Sequence, residues 1–495
     1  MKRYTEWKLP VLVSAGLAFG LISCSLSPGD IPPNDVVPTP EQLEYQRMEF
    51  IGFVHFTVNT FTDKEWGFGD ESPGIFDPTE FDADQWASVA AEAGMKELIL
   101  TAKHHDGFCL WPSRFTEHSV RHSPWKEGSG DIVGDFVSAC RRYGVKVGLY
   151  LSPWDRNHAD YGRPEYLEYY RNQMRELLSD YGEITELWFD GANGGSGYYG
   201  GANETRWIDR ETYYEWQETW AMVKSLQSGT LLFSDAGPDI RWIGNERGYA
   251  AETNWSMINT DKIVVGGADH AYLNSGDPEG RKWTVPLCNT SIRPGWFYHA
   301  DQDDQVKSPQ ELLNVYYRSV GRNGVLLLNI PPDQRGLFHE RDVEVLREFR
   351  RILDETFAEN LAASKPVVAD TQWRRHPKFA PSNLVDDDLD SYWAAGENAR
   401  GANLEIDLGD AVFFDRIMLQ EPIRFGQRIS EFEIQARVNG EWISIVHGTT
   451  IGYKRLLRIP EIEADRIRIL ILESNNVPAL SNFGLFRASK AKMGQ

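Results

Sequence analysis

Cysteine is nearly absent from this sequence. Its four cysteines, Cys24, Cys109, Cys140 and Cys288, are widely spaced. That spacing excludes a disulfide framework and any zinc-type Cys cluster. Cys109, Cys140 and Cys288 read as buried free thiols rather than nucleophiles. Positive charge is also short, with 51 Lys and Arg against 73 Asp and Glu and a net charge of −22. A chain so acidic is not built for nucleic acid. The longest N-terminal apolar run, Leu9–Ile22, falls short of the roughly 20 residues that span a bilayer. No glycine-rich phosphate fingerprint follows the first strand, which argues against a dinucleotide site.

What is present begins with an export signal. Lys2, Arg3 and Lys8 precede the apolar run, which ends in Leu21-Ile22-Ser23-Cys24. This tetrapeptide resembles a bacterial lipobox. It implies cleavage after residue 23, lipidation of Cys24, and a lipoprotein held to the membrane by its anchor alone, in the periplasm or on the outer-membrane surface. Residues 24–45, rich in Pro and polar residues, read as a tether.

Residues 46–360 alternate apolar runs with helical patterns. Met48–Phe56, Lys96–Ala102, Val145–Leu151, Ile184–Asp190, Thr230–Ser234, Trp283–Asn289 and Val325–Ile330 read as strands. Helices are expected at 83–94, 131–144, 164–181, 213–227, 309–321 and 339–357. Seven or eight parallel β/α units predict an α/β fold, a TIM-like (β/α) barrel, regular or not, rather than an open sheet. Beyond it, in residues 361–495, short runs such as Asn403–Leu408, Phe414–Leu419, Glu431–Val438, Trp442–Val446 and Arg466–Leu472 alternate with period two. These predict an antiparallel β-sandwich domain.

The stretch Ile184–Asn193 (ITELWFDGAN) runs from a buried strand into Asp190 and Gly191. An acid at a strand's C-terminal tip faces the barrel mouth, where barrel enzymes keep their chemistry. The other strand ends carry His55 with Glu65-Trp66, then His104-His105-Asp106, Pro153-Trp154-Asp155, and Asp235 with Asp239-Ile240-Arg241-Trp242 and Glu246. Indole faces cover pyranose rings, while His and carboxylates bind hydroxyls, so this is a palette for sugar. The histidines leave three readings open: metal ligands with His55 as the third, hydroxyl binders, or satisfied loop groups. Adjacent histidines on a strand point to opposite faces, which weakens the metal reading.

The segments HFTVNTFTDKEWG (55–67), LTAKHHDGFCLWPS (100–113), LYLSPWDR (149–156), ELWFDGANG (186–194) and DIRWIGNERG (239–248) resemble α-L-fucosidases of glycoside hydrolase family 29. The resemblance implies a retaining exo-hydrolase, with no cofactor in catalysis, acting on fucosylated oligosaccharides or glycoconjugates. It places the nucleophile on Asp190 and the fucose-binding residues on His55, Glu65, Trp66, His104, His105, Trp154 and Trp188. RWIGNERG followed by WTVPLCNTSIRPGWFYH (283–299) resembles the subgroup selective for α-1,3/1,4-linked, Lewis-type fucose. There the acid/base falls on Glu246, with Glu252 the alternative, and Arg241 and Trp296 as sugar contacts. Residues 383–397 and 402–409 resemble the discoidin-like, coagulation-factor C-type sandwich. That implies a structural calcium near Asp386 and Asp388. Two rival readings stay open: a metal-dependent barrel hydrolase using His55, His104 and His105, and a non-catalytic glycan-binding surface lipoprotein.

Overall fold

The computed structural model describes residues 29–267 and 269–488. The export signal and Cys24 lie outside them. Eight parallel strands close a barrel in the order β1-β8-β7-β6-β5-β4-β3-β2. They are β1 (Phe50–Val54), β2 (Glu97–Lys103), β3 (Lys146–Leu151), β4 (Glu186–Trp188), β5 (Leu231–Ser234), β6 (Ile240–Trp242), β7 (Val285–Ser291) and β8 (Val325–Asn329). Side chains alternate across the wall, as a strand requires. Ile51, Phe53, Ile99, Tyr150, Trp188, Phe233, Ile240 and Leu327 fill the interior. Val54, Leu98, Leu100, Val147 and Leu149 pack outward under the helices.

Those helices end where their chemistry dictates. Asp82 caps the start of Ala83–Ala93 by accepting from Asp84 N and Gln85 N, and Gly94 closes it at φ 85°. Asp131 does the same for Ile132–Arg142.

Two features in and before the barrel differ from the sequence expectation. Residues 29–45 do not form a tether. Ile31 is buried in the sandwich core, and Arg428 donates to Pro32 O. Helix α1 (Pro40–Met48), opened by a Thr39/Gln42 capping box, packs on the barrel floor. There Tyr45 donates to Glu186 at 2.7 Å, and Gln42 donates to Asp239 O and Trp283 O. The second feature is β6. It pairs with β5 in parallel, Phe233 opposite Ile240 and Ser234 opposite Arg241, with no crossover helix between them. Parallel neighbours ordinarily need a dozen or more connecting residues, so a strand this soon after β5 carries no signal of its own in the sequence.

The second domain is an antiparallel β-sandwich. Its main sheet runs β9 (Val367–Ala369), β10 (Ala402–Gln420), β13 (Arg455–Ser474), β11 (Ile429–Val438), β12 (Glu441–Gly448), with β14 (Asn482–Phe486) on β10. The runs 403–408 and 414–419, expected as two strands, are one strand carrying register shifts at Asp407/Val412 and Phe414/Arg416. Bulges bend a long strand so that it serves both parts of the sheet. The domain docks on the barrel through a polar seam. Gln427 accepts from Ser256 N and donates to Asn254 O, and Glu252 pairs with Arg322 and Arg455.

Candidate active site

At the C-terminal mouth of the barrel lies a cavity of about 530 Å³. It is lined by strand-end and loop residues, the position expected of a barrel enzyme's site. His55 comes from the end of β1, His104 and His105 from β2, Asp190 from β4 and Asp235 from β5. Tyr150, Trp188, Phe233 and Trp242 rise from the strands themselves, and Glu65, Trp66, Glu246 and Trp296 come from loops.

Asp190 is held by two donors. Tyr150 Oη donates to Oδ2 at 3.2 Å and Ala192 N to Oδ1 at 3.0 Å. Burial pushes its carboxyl up to about 6, against both hydrogen bonds and with help from the charge of Glu246. Glu246 stands exposed on the loop after β6, and Trp296 Nε1 donates to its Oε2 at 3.4 Å. Gly191 matters by closeness. A Cβ there would lie 2.9 Å from both Asp235 Oδ2 and Gly266 Cα, so only glycine lets the chain turn beside the acid.

The histidines are neutral acceptors. Asn329 spends its Nδ2 on Ser291 Oγ and Trp296 O, so its Oδ1, 2.8 Å from His55 Nδ1, must accept. Ser152 Oγ donates to Trp154 O and lies 2.6 Å from His105 Nδ1, so Nδ1 carries the proton there too. Both Nε2 atoms are left as acceptors for hydroxyls. Burial pushes both rings down to about 3, and His104 well below its usual value. Below them Trp188 lies flat on Phe233, with ring centroids 3.7 Å apart and planes 6° apart. Trp66, 57% exposed, forms the rim.

Several expected contacts sit elsewhere. Arg241 is wholly buried and donates to Leu273 O, Thr284 O, Trp255 O and Asn254 Oδ1. It is a strand residue, so it points to the opposite face from its cavity-lining neighbour Trp242. Glu252 belongs to the domain seam, paired with Arg322 and Arg455, and does not line the cavity. Trp154 lies behind the wall. It donates to Tyr199 at 2.9 Å and braces Trp66 and His105, with ring centroids 5.6 and 5.1 Å away.

The reading of His55, His104 and His105 as metal ligands finds no such cluster. Among the described residues no three His, Cys, Asp or Glu side chains converge as an ion site. In the turn where calcium was expected, Asp386 accepts from Asp388 N and Ser391 Oγ, and Asp388 from Asp390 N.

The sequence assigns no individual role to Tyr150, Asn289 or His299, and Asp235 and Trp242 only a place among the polar and aromatic groups at the strand ends. Tyr150 carried a signal, a polar tip inside an otherwise apolar strand. Asp235 lines the cavity, accepts from Gly266 N at 2.7 Å, and is pushed by burial up to about 7.

Comparison with known proteins adds the family. Residues 39–356 match the α-L-fucosidase family and residues 361–483 the F5/8 type C domain. The chain is 41% identical over 456 residues to α-L-fucosidase 1 of Arabidopsis thaliana, covering 91% of this chain and 87% of that one. It is similar to a crystal structure of a glycoside hydrolase 29 family member from an unknown rumen bacterium. The TM-score is 0.84 at 42% identity, over 94% of this chain and 79% of that one. A Ruminococcus gnavus fucosidase in complex with fucose aligns with TM-score 0.84 at 33% identity, over 94% of this chain and 98% of that one.

Proposed function

The chain belongs to the α-L-fucosidase family, glycoside hydrolase family 29; from that premise we propose a retaining exo-α-L-fucosidase with Asp190 as nucleophile and Glu246 as acid/base. The activity itself, hydrolysis of fucosides, follows from the family. The observation that carries the roles is a pair of acids at one cavity. Asp190 is fixed by Tyr150 and Ala192 at the end of β4, and Glu246 lines the same cavity from the loop after β6.

In the first step an Asp190 oxygen forms a bond to the anomeric carbon. The glycosidic C–O bond breaks, and the departing oxygen takes the proton of Glu246. In the second, Glu246 takes a proton from water, whose oxygen attacks the same carbon and expels Asp190. One water is consumed, and L-fucose leaves with its configuration retained. The Nε2 acceptors of His55 and His105, together with Glu65, suit the fucose hydroxyls. The Trp188 and Trp296 rings suit its apolar face and methyl.

The resemblance of RWIGNERG and the 283–299 segment supports a preference for α-1,3/1,4-linked, Lewis-type fucose. The N-terminal signal and Cys24 support an exported, lipid-anchored enzyme acting on fucosylated glycans outside the cytoplasm; replacing Cys24 by Ser should release it from membranes.

Fucose release from a Lewis-type trisaccharide, an α-1,2-fucosylated lactose and an aryl fucoside tests the linkage. Release from the first and third but not the second is expected, and equal release from all removes the linkage claim. Asp190→Ala should cost at least about a thousandfold in kcat. Glu246→Ala should spare aryl fucosides most, and azide should partly rescue it. Full activity of Glu246→Ala on a natural oligosaccharide would refute the acid/base role.

A further inference from the structure

His299 lies between two carboxylates. Its Nδ1 is 2.6 Å from Asp63 Oδ1 and its Nε2 is 2.7 Å from Glu65 Oε1. The ring is buried, while the outer partner Asp63 has a side chain 75% exposed. Carboxylate oxygens face both ring nitrogens, an arrangement that suits an imidazolium donating from each. The cations of the flanking segments do not compete. Lys64 pairs with Glu71, and Arg293 with Asp303 and Asp342. Burial disfavours the charge, yet the two hydrogen bonds hold His299 above its ordinary value.

The same segment delivers more. Trp296 N and Phe297 N donate to Glu65 at 2.8 and 3.2 Å. Gly295 makes this approach possible, because a Cβ there would lie 2.3 Å from Glu65 Oε1 and 3.0 Å from His299 Cδ2. Trp296 in turn donates to Glu246, and its ring sits 5.2 Å from that of His55. One loop, 295–299, therefore ties the hydroxyl-binding side of the cavity to its acid.

We propose that His299 is a positioning residue for the hydrolysis, clamping Glu65 at the sugar hydroxyls and, through this loop, Trp296 at Glu246. The inference rests on Glu65 being a hydroxyl acceptor. Asp63 is the outer half of the clamp. It sits left-handed at φ 56° as the cap of the short helix Val58–Thr62, which turns its carboxylate toward the ring.

The test is steady-state kinetics of the full chain on an aryl α-L-fucoside across pH, for Glu65→Gln, His299→Gln and Asp63→Asn. Glu65→Gln and His299→Gln should each raise KM by about tenfold or more, with a smaller loss in kcat. Asp63→Asn removes an exposed negative charge and leaves the core intact. It should move the alkaline limb of kcat/KM to lower pH, because His299 then loses its proton earlier.

If Glu65→Gln is impaired while His299→Gln keeps the wild-type KM and pH profile, the pocket reading stands and the positioning role falls. If Glu65→Gln leaves KM unchanged, the reading of Glu65 falls and takes this inference with it. If His299→Gln fails to fold, Asp63→Asn decides, and an unmoved alkaline limb overturns the proposal. Nitrogen NMR of the His299 ring in the wild type gives a separate readout. Two protonated nitrogens at neutral pH are expected, and a neutral ring overturns it.

Discussion

As the proposed nucleophile, Asp190 must be ionised, yet its site pushes the carboxyl up to about 6. The free enzyme's kcat/KM should therefore fall as pH drops through about 6, with one proton taken up. The hydrogen bond from Tyr150 works the other way, favouring the anion. Tyr150→Phe should shift this acid limb to higher pH, read from kcat/KM against pH on an aryl fucoside; an unmoved limb would mean another group sets it. Arg241 illustrates the opposite kind of residue. Replaced by Ala, it would leave three buried backbone carbonyls and Asn254 without their donor. That should cost on the order of 3 kcal/mol or more in a denaturant melt. KM for the fucoside should stay near wild type, because the side chain never reaches the cavity.

At the scale of elements, the barrel floor carries a cost. Glu97 on β2 and Glu186 on β4 are fully buried, and three of their four carboxylate oxygens have no partner. The fourth accepts from Tyr45 of α1. Burial, and for Glu97 also the neighbouring charge of Glu186, raises both above the ordinary 4.5. The folded state thus holds protons that the unfolded chain releases. Their contribution to stability is complete below about 4.5 and is lost as pH rises above it. Glu186→Gln, isosteric with the protonated acid, should raise the melting temperature by several degrees at pH 8, with the gain vanishing near pH 4.5; a lower melting temperature at pH 8 would refute this. Helices such as Ala83–Ala93 were legible because their caps are local, Asp82 at one end and Gly94 at the other. Strand β6 was not, since three residues lying against β5 without a crossover helix leave no periodicity to read.

At the scale of the whole molecule, the sandwich is joined to the barrel through the seam that holds Glu252. Glu252→Gln should leave kcat/KM within about twofold and lower the melting temperature modestly, as its arginines lose their shared acid. Lost turnover with an unchanged melting temperature would return Glu252 to contention as the acid/base.

Read by itself, the sequence determined a β/α barrel followed by a sandwich, and an acid at the tip of β4. Burial writes itself into local periodicity, and a strand tip in a barrel has one destination. Only the tertiary structure decided that Arg241 faces away from the cavity, that residues 29–48 are docked rather than free, and that Trp154 braces rather than touches. It alone joined His299 to Glu65, 234 positions apart in the chain. Hydrogen bonds at that separation are set by how the loops converge at the barrel mouth, and no local pattern of residues encodes such convergence.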